Sequence, residues 1–207
     1  MLLSLYRLGL LPFVKKAQFI NEPPKIHFID STIFNSRNMR YFRALTNLQY
    51  LVIEDLDFYS FAYMGFQNHF GHFSPTLRSV ALIAPQGSRR RILDFLRLFP
   101  KLDDIKICGY RHDSRDHGSF DGFLTPIEGG LRGELYLKNF YDQGLLRDII
   151  AAFGGMRFTS MHLEDVNGVP LLLKACADTL ETVHVHSRVE PDLRKTIMHP
   201  REDISDD

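Results

Sequence analysis

Three histidines and a glutamate, His162, Glu164, His184 and His186, are the side chains of this sequence best suited to chemistry. Imidazole and carboxylate are zinc ligands, and imidazole changes charge near neutral pH. Their spacing matches no established ligand motif, so the preferred reading is a polar patch on a binding surface. A second group, His112, Asp113, Asp116 and His117, falls in a polar, glycine-rich stretch from Tyr110 to Phe123 that reads as an exposed loop. Arg89-Arg90-Arg91 opens a predicted helix, where positive charge opposes the helix dipole. It is either a docking point for an acidic partner or a solvated helix face. No G-x-S-x-G, P-loop, G-x-G-x-x-G or H-E-x-x-H is present. The chain therefore reads as no enzyme, with no cofactor and no metal. The enzymatic alternative is a metal-dependent one using His162, His184 and His186.

The elements that must position these residues come from a recurring pattern, apolar-x-x-apolar-x-apolar. It reads Leu48, Leu51, Ile53; Leu77, Val80, Leu82; and Leu102, Ile105, Ile107. With one extra residue in its first gap it continues as Leu131, Leu135, Leu137, then as Phe158, Met161, Leu163 and Leu180, Val183, Val185. One strand per roughly 20–30 residues is the signature of a leucine-rich-repeat solenoid. Connections of that length favour parallel strands. The expected fold is α/β: a curved parallel sheet with strands centred near residues 52, 81, 106, 136, 162 and 184, and helices on the outer face. Val14, Ala17 and Phe19 form a further motif near the start. Asn21 to Pro24 reads as a tight turn, and Lys25 to Asp30 as another short strand.

Helical periodicity fills the intervals. Ser36 to Leu45 places Met39, Phe42 and Leu45 on one face. Ser88 is a natural N-cap for a helix through Phe99, stopped by Pro100. Asp142 caps a helix to Phe153 that exits through Gly154-Gly155. Asp165 or Asn167 precedes an apolar helix over 169–177. Phe58 to Phe73, rich in phenylalanine, reads as a helix, a 3₁₀ turn or an aromatic plug between repeats. The organisation is one solenoid domain over residues 1–187, with an irregular first repeat at 1–45, followed by a polar, disordered tail from 188 to 207. The apolar start, Met1 to Phe13, reads as a buried first element.

Balanced charge, 25 basic against 25 acidic residues in 207, implies no binding to nucleic acid by bulk electrostatics. No apolar run approaches membrane-spanning length. Cys108, on a strand, and Cys176, on a helix, are expected as free thiols in a reducing compartment, cytoplasmic or nuclear.

Alternation along a strand sends every second side chain to the opposite face. The apolar pairs Leu51/Ile53, Val80/Leu82, Ile105/Ile107, Leu135/Leu137, Met161/Leu163 and Val183/Val185 are expected in the core. The concave face then carries the protein-binding candidates Tyr50, Lys106, Tyr136, Lys138, His162 and His184.

The order and spacing of several stretches add a resemblance. They are Ala44-Leu45-Thr46-Asn47-Leu48-Gln49, His72-Phe73-Ser74-Pro75-Thr76-Leu77-Arg78-Ser79, Gly87-Ser88-Arg89-Arg90-Arg91-Ile92 and Leu98-Phe99-Pro100-Lys101-Leu102-Asp103-Asp104. Further on are Phe153-Gly154-Gly155-Met156-Arg157-Phe158, Leu171-Leu172-Leu173-Lys174-Ala175-Cys176-Ala177 and Thr179-Leu180-Glu181-Thr182. Over residues 44–187 the chain resembles the leucine-rich-repeat-like region of fungal (basidiomycete) F-box-type proteins. The resemblance implies recognition of a protein target for a ubiquitin ligase. It implies contact with the cullin ligase's adaptor subunit only if an F-box lies upstream, because no Leu-Pro-x-Glu start occurs before residue 44. A truncated or orphan repeat protein without a ligase role is the alternative.

Overall fold

The computed structural model describes residues 2–20, 39–58, 70–73, 75–112 and 131–187. The expected turn at Asn21 to Pro24, the strand at Lys25 to Asp30, most of the Phe58–Phe73 plug, the loop beyond His112 and the polar tail lie outside these residues.

Seven strands form one all-parallel sheet. They are β1 (Lys16–Ile20), β2 (Tyr50–Glu54), β3 (Ser79–Ile83), β5 (Asp104–Cys108), β7 (Glu134–Phe140), β8 (Ser160–Val166) and β9 (Thr182–His186). Each pairs with the next in sequence, so every apolar motif became a strand, including the one around Ala17 and Phe19. A separate two-residue pair joins β4 (Gln86–Gly87) to β6 (Arg111–His112).

The backbone repeats in detail. Before β2, β3, β5, β8 and β9, two successive amides donate to one carbonyl of the preceding unit: Gln49 and Tyr50 to Lys15, Arg78 and Ser79 to Gln49, Asp103 and Asp104 to Arg78, Thr159 and Ser160 to Gly133, Glu181 and Thr182 to Thr159. Before β7 only the Gly133 amide does so, to Asp103, and the Glu134 amide donates to Asp104 Oδ1. Five residues after the first facing position of β2, β3, β5, β7 and β8, the chain turns through a left-handed residue. These are Asp55, Ala84, Gly109, Asn139 and Asp165, with φ of 54°, 48°, 64°, 48° and 51°. The turn aims the following side chain inward, so Leu56, Tyr110 and Phe140 are buried. Asp, Asn and Gly tolerate this conformation, which explains four of the five choices.

The helices are α1 (Leu2–Arg7), α2 (Met39–Arg43), α3 (Arg89–Leu96), α4 (Gln143–Ala152) and α5 (Val169–Ala175). Both expected side-chain caps are present. Ser88 Oγ accepts from the Arg91 amide at 3.4 Å, and Asp142 Oδ1 from the Leu145 amide at 3.0 Å. Gly154 and Gly155 make the left-handed exit from α4. The last helix differs. Its N-cap is Gly168, at φ 88°, and not Asp165 or Asn167. Asp165 is used earlier, in the recurring left-handed turn. The helix stops at Ala175, which leaves Cys176 as its C-cap and not within it.

One sheet face and the helices share a single hydrophobic core. Leu51, Ile53, Val80, Leu82, Ile105, Ile107, Leu135, Leu137, Met161 and Leu163 are buried as alternation requires. Phe95 is central among the aromatics, edge-on to Phe58, Phe70 and Phe99 at centroid distances of 5.4, 5.1 and 5.3 Å. Gly87 permits close packing there: a Cβ on it would lie 2.8 Å from Phe58 Cβ.

Two expectations of burial are corrected. Val183 and Val185 are 38% and 55% exposed. They point to the core side, but α5 sends only Leu172 into the core, and Leu173 is exposed. The N-terminal element is likewise not buried. Within it Leu11 is covered, whereas Leu8 and Phe13 are 69% and 77% exposed, because a six-residue helix followed by one 3₁₀ turn presents little of its circumference to the sheet.

Candidate functional site

The sheet face opposite the core carries three rows of side chains, fixed by the strand register. The first runs Lys16, Tyr50, Ser79, Asp104, Glu134, Ser160, Thr182. The second runs Gln18, Val52, Ala81, Lys106, Tyr136, His162, His184, and the third Ile20, Glu54, Ile83, Cys108, Lys138, Glu164, His186. All six candidate residues are in these rows.

Four of them touch in sequence across adjacent strands. The Lys106 ammonium lies 4.2 Å above the Tyr136 ring. Tyr136 stacks on His162 at 6.1 Å, and His162 on His184 at 4.5 Å with 16° between planes. Strand spacing of about 4.8 Å is near the stacking distance of planar rings, so aromatics in one row stack without distortion. Lys138 belongs to a neighbouring knot. It lies 2.6 Å from Glu164, which also accepts a 2.6 Å hydrogen bond from the Tyr136 hydroxyl. Tyr50 is apart from the ladder, two strands beyond Lys106.

Between them is a depression that the motif reading did not single out. It encloses about 400 Å³ over Val52, Ala81 and Ile83, with Lys16, Tyr50, Ser79, Asp104, Lys106, Glu134 and Tyr136 around it. Its origin is the size step in the second row, where Ala81 is followed by Lys106 and Tyr136. That step is visible in the sequence once β1 is placed in register.

The knot sets the electrostatics. The hydrogen bond from Lys138, and then that from Tyr136, hold the Glu164 carboxyl below its ordinary range. The same bond to Glu164, with a smaller contribution from burial, pushes the Tyr136 phenol up to about 12. Tyr136 is therefore a protonated donor, not a base, at physiological pH. Tyr136→Phe removes one of Glu164's two partners. The Glu164 titration midpoint, followed by carboxyl carbon NMR, is expected to rise while staying below that of a free glutamate, because Lys138 remains. The contribution of the knot to stability is present above the unfolded glutamate pKa and is lost as pH falls through the lower folded value. The drop belongs to the acid range, and Tyr136→Phe should narrow it.

The histidines do not converge as metal ligands. His162 and His184 are stacked nearly in parallel, with 16° between their ring planes. His162 Nε2 instead lies 3.5 Å from Glu134. Among the described residues no group of three or more His, Cys, Asp or Glu side chains is placed to hold a metal. The arginine run is used structurally. Arg89 is bonded to Asp142 at 3.0 Å and Arg90 lies 3.9 Å from Asp94, so two of the three charges are paired locally. Cys108 and Cys176 are free thiols, and burial pushes both up in pKa, which makes them poor nucleophiles. Among the described residues no helix is long and apolar enough to cross a membrane.

No protein-family model, no curated protein and no solved structure matches this chain.

Proposed function

We propose that this chain is a leucine-rich-repeat-like solenoid that binds a protein segment across the sheet face opposite its helices. The observation that carries this reading is the asymmetry of the sheet. One face is covered by helices up to β8, and the other is an open surface bearing a stacked Lys106–Tyr136–His162–His184 ladder beside an apolar depression. The repeated entry hydrogen bonds and left-handed exits support the solenoid reading, because equal backbone geometry in successive units is what stacked repeats require. Aromatic residues anchor interfaces at low entropic cost, and Tyr136 is already held by Glu164. By its resemblance to F-box-type proteins, the bound segment is a substrate for a ubiquitin ligase in the cytoplasm or nucleus, and the ligase adaptor is engaged only if an F-box lies upstream.

The test compares proteins captured from fungal lysate by the wild type and by a Tyr136→Ala/His162→Ala double variant, with the fold of both checked by circular dichroism. Loss of the captured partners at unchanged fold is expected. An unchanged set of partners removes this face as the site.

A further inference from the structure

The depression identifies the chemistry of the segment that would bind, on the reading that this face is the docking surface. Its floor, Val52, Ala81 and Ile83, is apolar. Its rim holds two lysines and two carboxylates, but these are not equivalent. Asp104 Oδ1 accepts from the Glu134 amide at 2.9 Å, and the Glu134 carboxylate lies 3.5 Å from His162. Both acids keep their charge, but each already has a neighbour within the face. Lys16 is exposed on β1, and the Lys106 ammonium rests on the Tyr136 ring. Among the described residues neither lysine makes an ion pair. A partner can therefore gain attraction at the lysines without displacing an existing carboxylate.

Their placement sets a spacing. Lys16 and Lys106 lie three strand steps apart and two residues offset along the strands, about 16 Å corner to corner, with Val52 and Ala81 on the two strands between them. An extended peptide advances about 3.4 Å per residue, so residues i and i+4 are about 14 Å apart, a difference of about 2 Å that the long lysine side chains span, and i, i+2 and i+4 point the same way. We propose that the depression binds an extended acidic–x–apolar–x–acidic segment crossing the strands. Its two carboxylates meet Lys16 and Lys106, and its central apolar side chain sits over Val52 and Ala81. The ladder's aromatic ammonium contact is kept, because a carboxylate approaches Lys106 from above the ring.

The test is fluorescence anisotropy of the full chain with labelled peptides containing Glu-Ser-Leu-Ser-Glu, Lys-Ser-Leu-Ser-Lys or Glu-Ser-Ser-Ser-Glu, titrated up to about 1 mM protein-to-peptide range. The first peptide is expected to bind at least about tenfold more tightly than the other two, with affinity falling as salt rises. A Lys16→Glu/Lys106→Glu variant should reverse the preference toward the lysine peptide. Ala81→Arg, which fills the floor, should abolish binding of both. Circular dichroism and a melting curve confirm that each variant is folded. Equal affinities for the three peptides, or a preference that the charge reversal leaves intact, overturns the motif. If partners captured from lysate still depend on Tyr136 and His162 in that case, the face remains the docking surface with a different ligand. If they do not, the face itself is excluded.

Discussion

Phe95→Ala is expected to cost about 4–5 kcal/mol of folding stability, near the top of the range for truncating a buried aromatic. Phe95 is fully buried and meets three other rings edge-on, at 5.1 to 5.4 Å. Each such pair contributes about 0.5–1.5 kcal/mol beyond the area it buries. The surrounding rings come from separate segments, Phe58 after β2, Phe70 before the 3₁₀ turn Gly71–Phe73 and Phe99 just beyond the end of α3, so they cannot all close on the void. A domain of this size has about 5–15 kcal/mol in total, and the variant should unfold at much lower urea concentration. A loss below about 1 kcal/mol would mean that this cluster is not the centre of the core.

The second large effect is at Asp142, which joins two units. Oδ1 caps α4 through the Leu145 amide, and Oδ2 accepts from Arg89 Nε at 3.0 Å. Arg89 is the first residue of α3, where its charge opposes the helix dipole. The nearby carboxylate offsets that cost. Asp142→Ala removes the cap, worth about 0.5–2 kcal/mol, and leaves Arg89 without its partner. Arg89 is 43% exposed in its side chain, so water compensates much of the second loss. A total of about 2–3 kcal/mol is expected from chemical denaturation. Asp142→Asn, which keeps a capping oxygen, should lose clearly less. Equal losses for the two variants would show that the charge, and not the cap, dominates.

Much of the sheet was legible because two periods agreed. The apolar pairs fixed which side of each strand is buried, and the long intervals required parallel pairing. Ser88 and Asp142 were legible as caps because a side-chain oxygen before an apolar helix has few other uses. The face followed from the same alternation, so Lys106, Tyr136, His162 and His184 could be placed in one row before any contact was known. Their order of contact was not legible, since stacking depends on rotamers. The left-handed turns carry a weaker signal, Asp55, Gly109, Asn139 and Asp165 at one repeat position, which the apolar pattern does not include. Asp165 was read as a helix cap because Asp serves both purposes. The exposure of Val183 and Val185 was not legible either. Alternation says which way a side chain points, but burial also needs something above it, and α5 covers too little. The depression escaped notice because it is defined by small residues, Ser79 and Ala81, whose significance appears only beside Tyr50, Lys106 and Tyr136.

The most direct measurement places a photo-crosslinking aromatic amino acid at position 50, on the rim of the depression where Tyr50 is 46% exposed, or at position 90, where the Arg90 side chain is 75% exposed on α3. Crosslinking to the captured partner from position 50 and not from position 90 is the predicted result. Crosslinking from position 90 alone would contradict the account and move the binding surface to the helices.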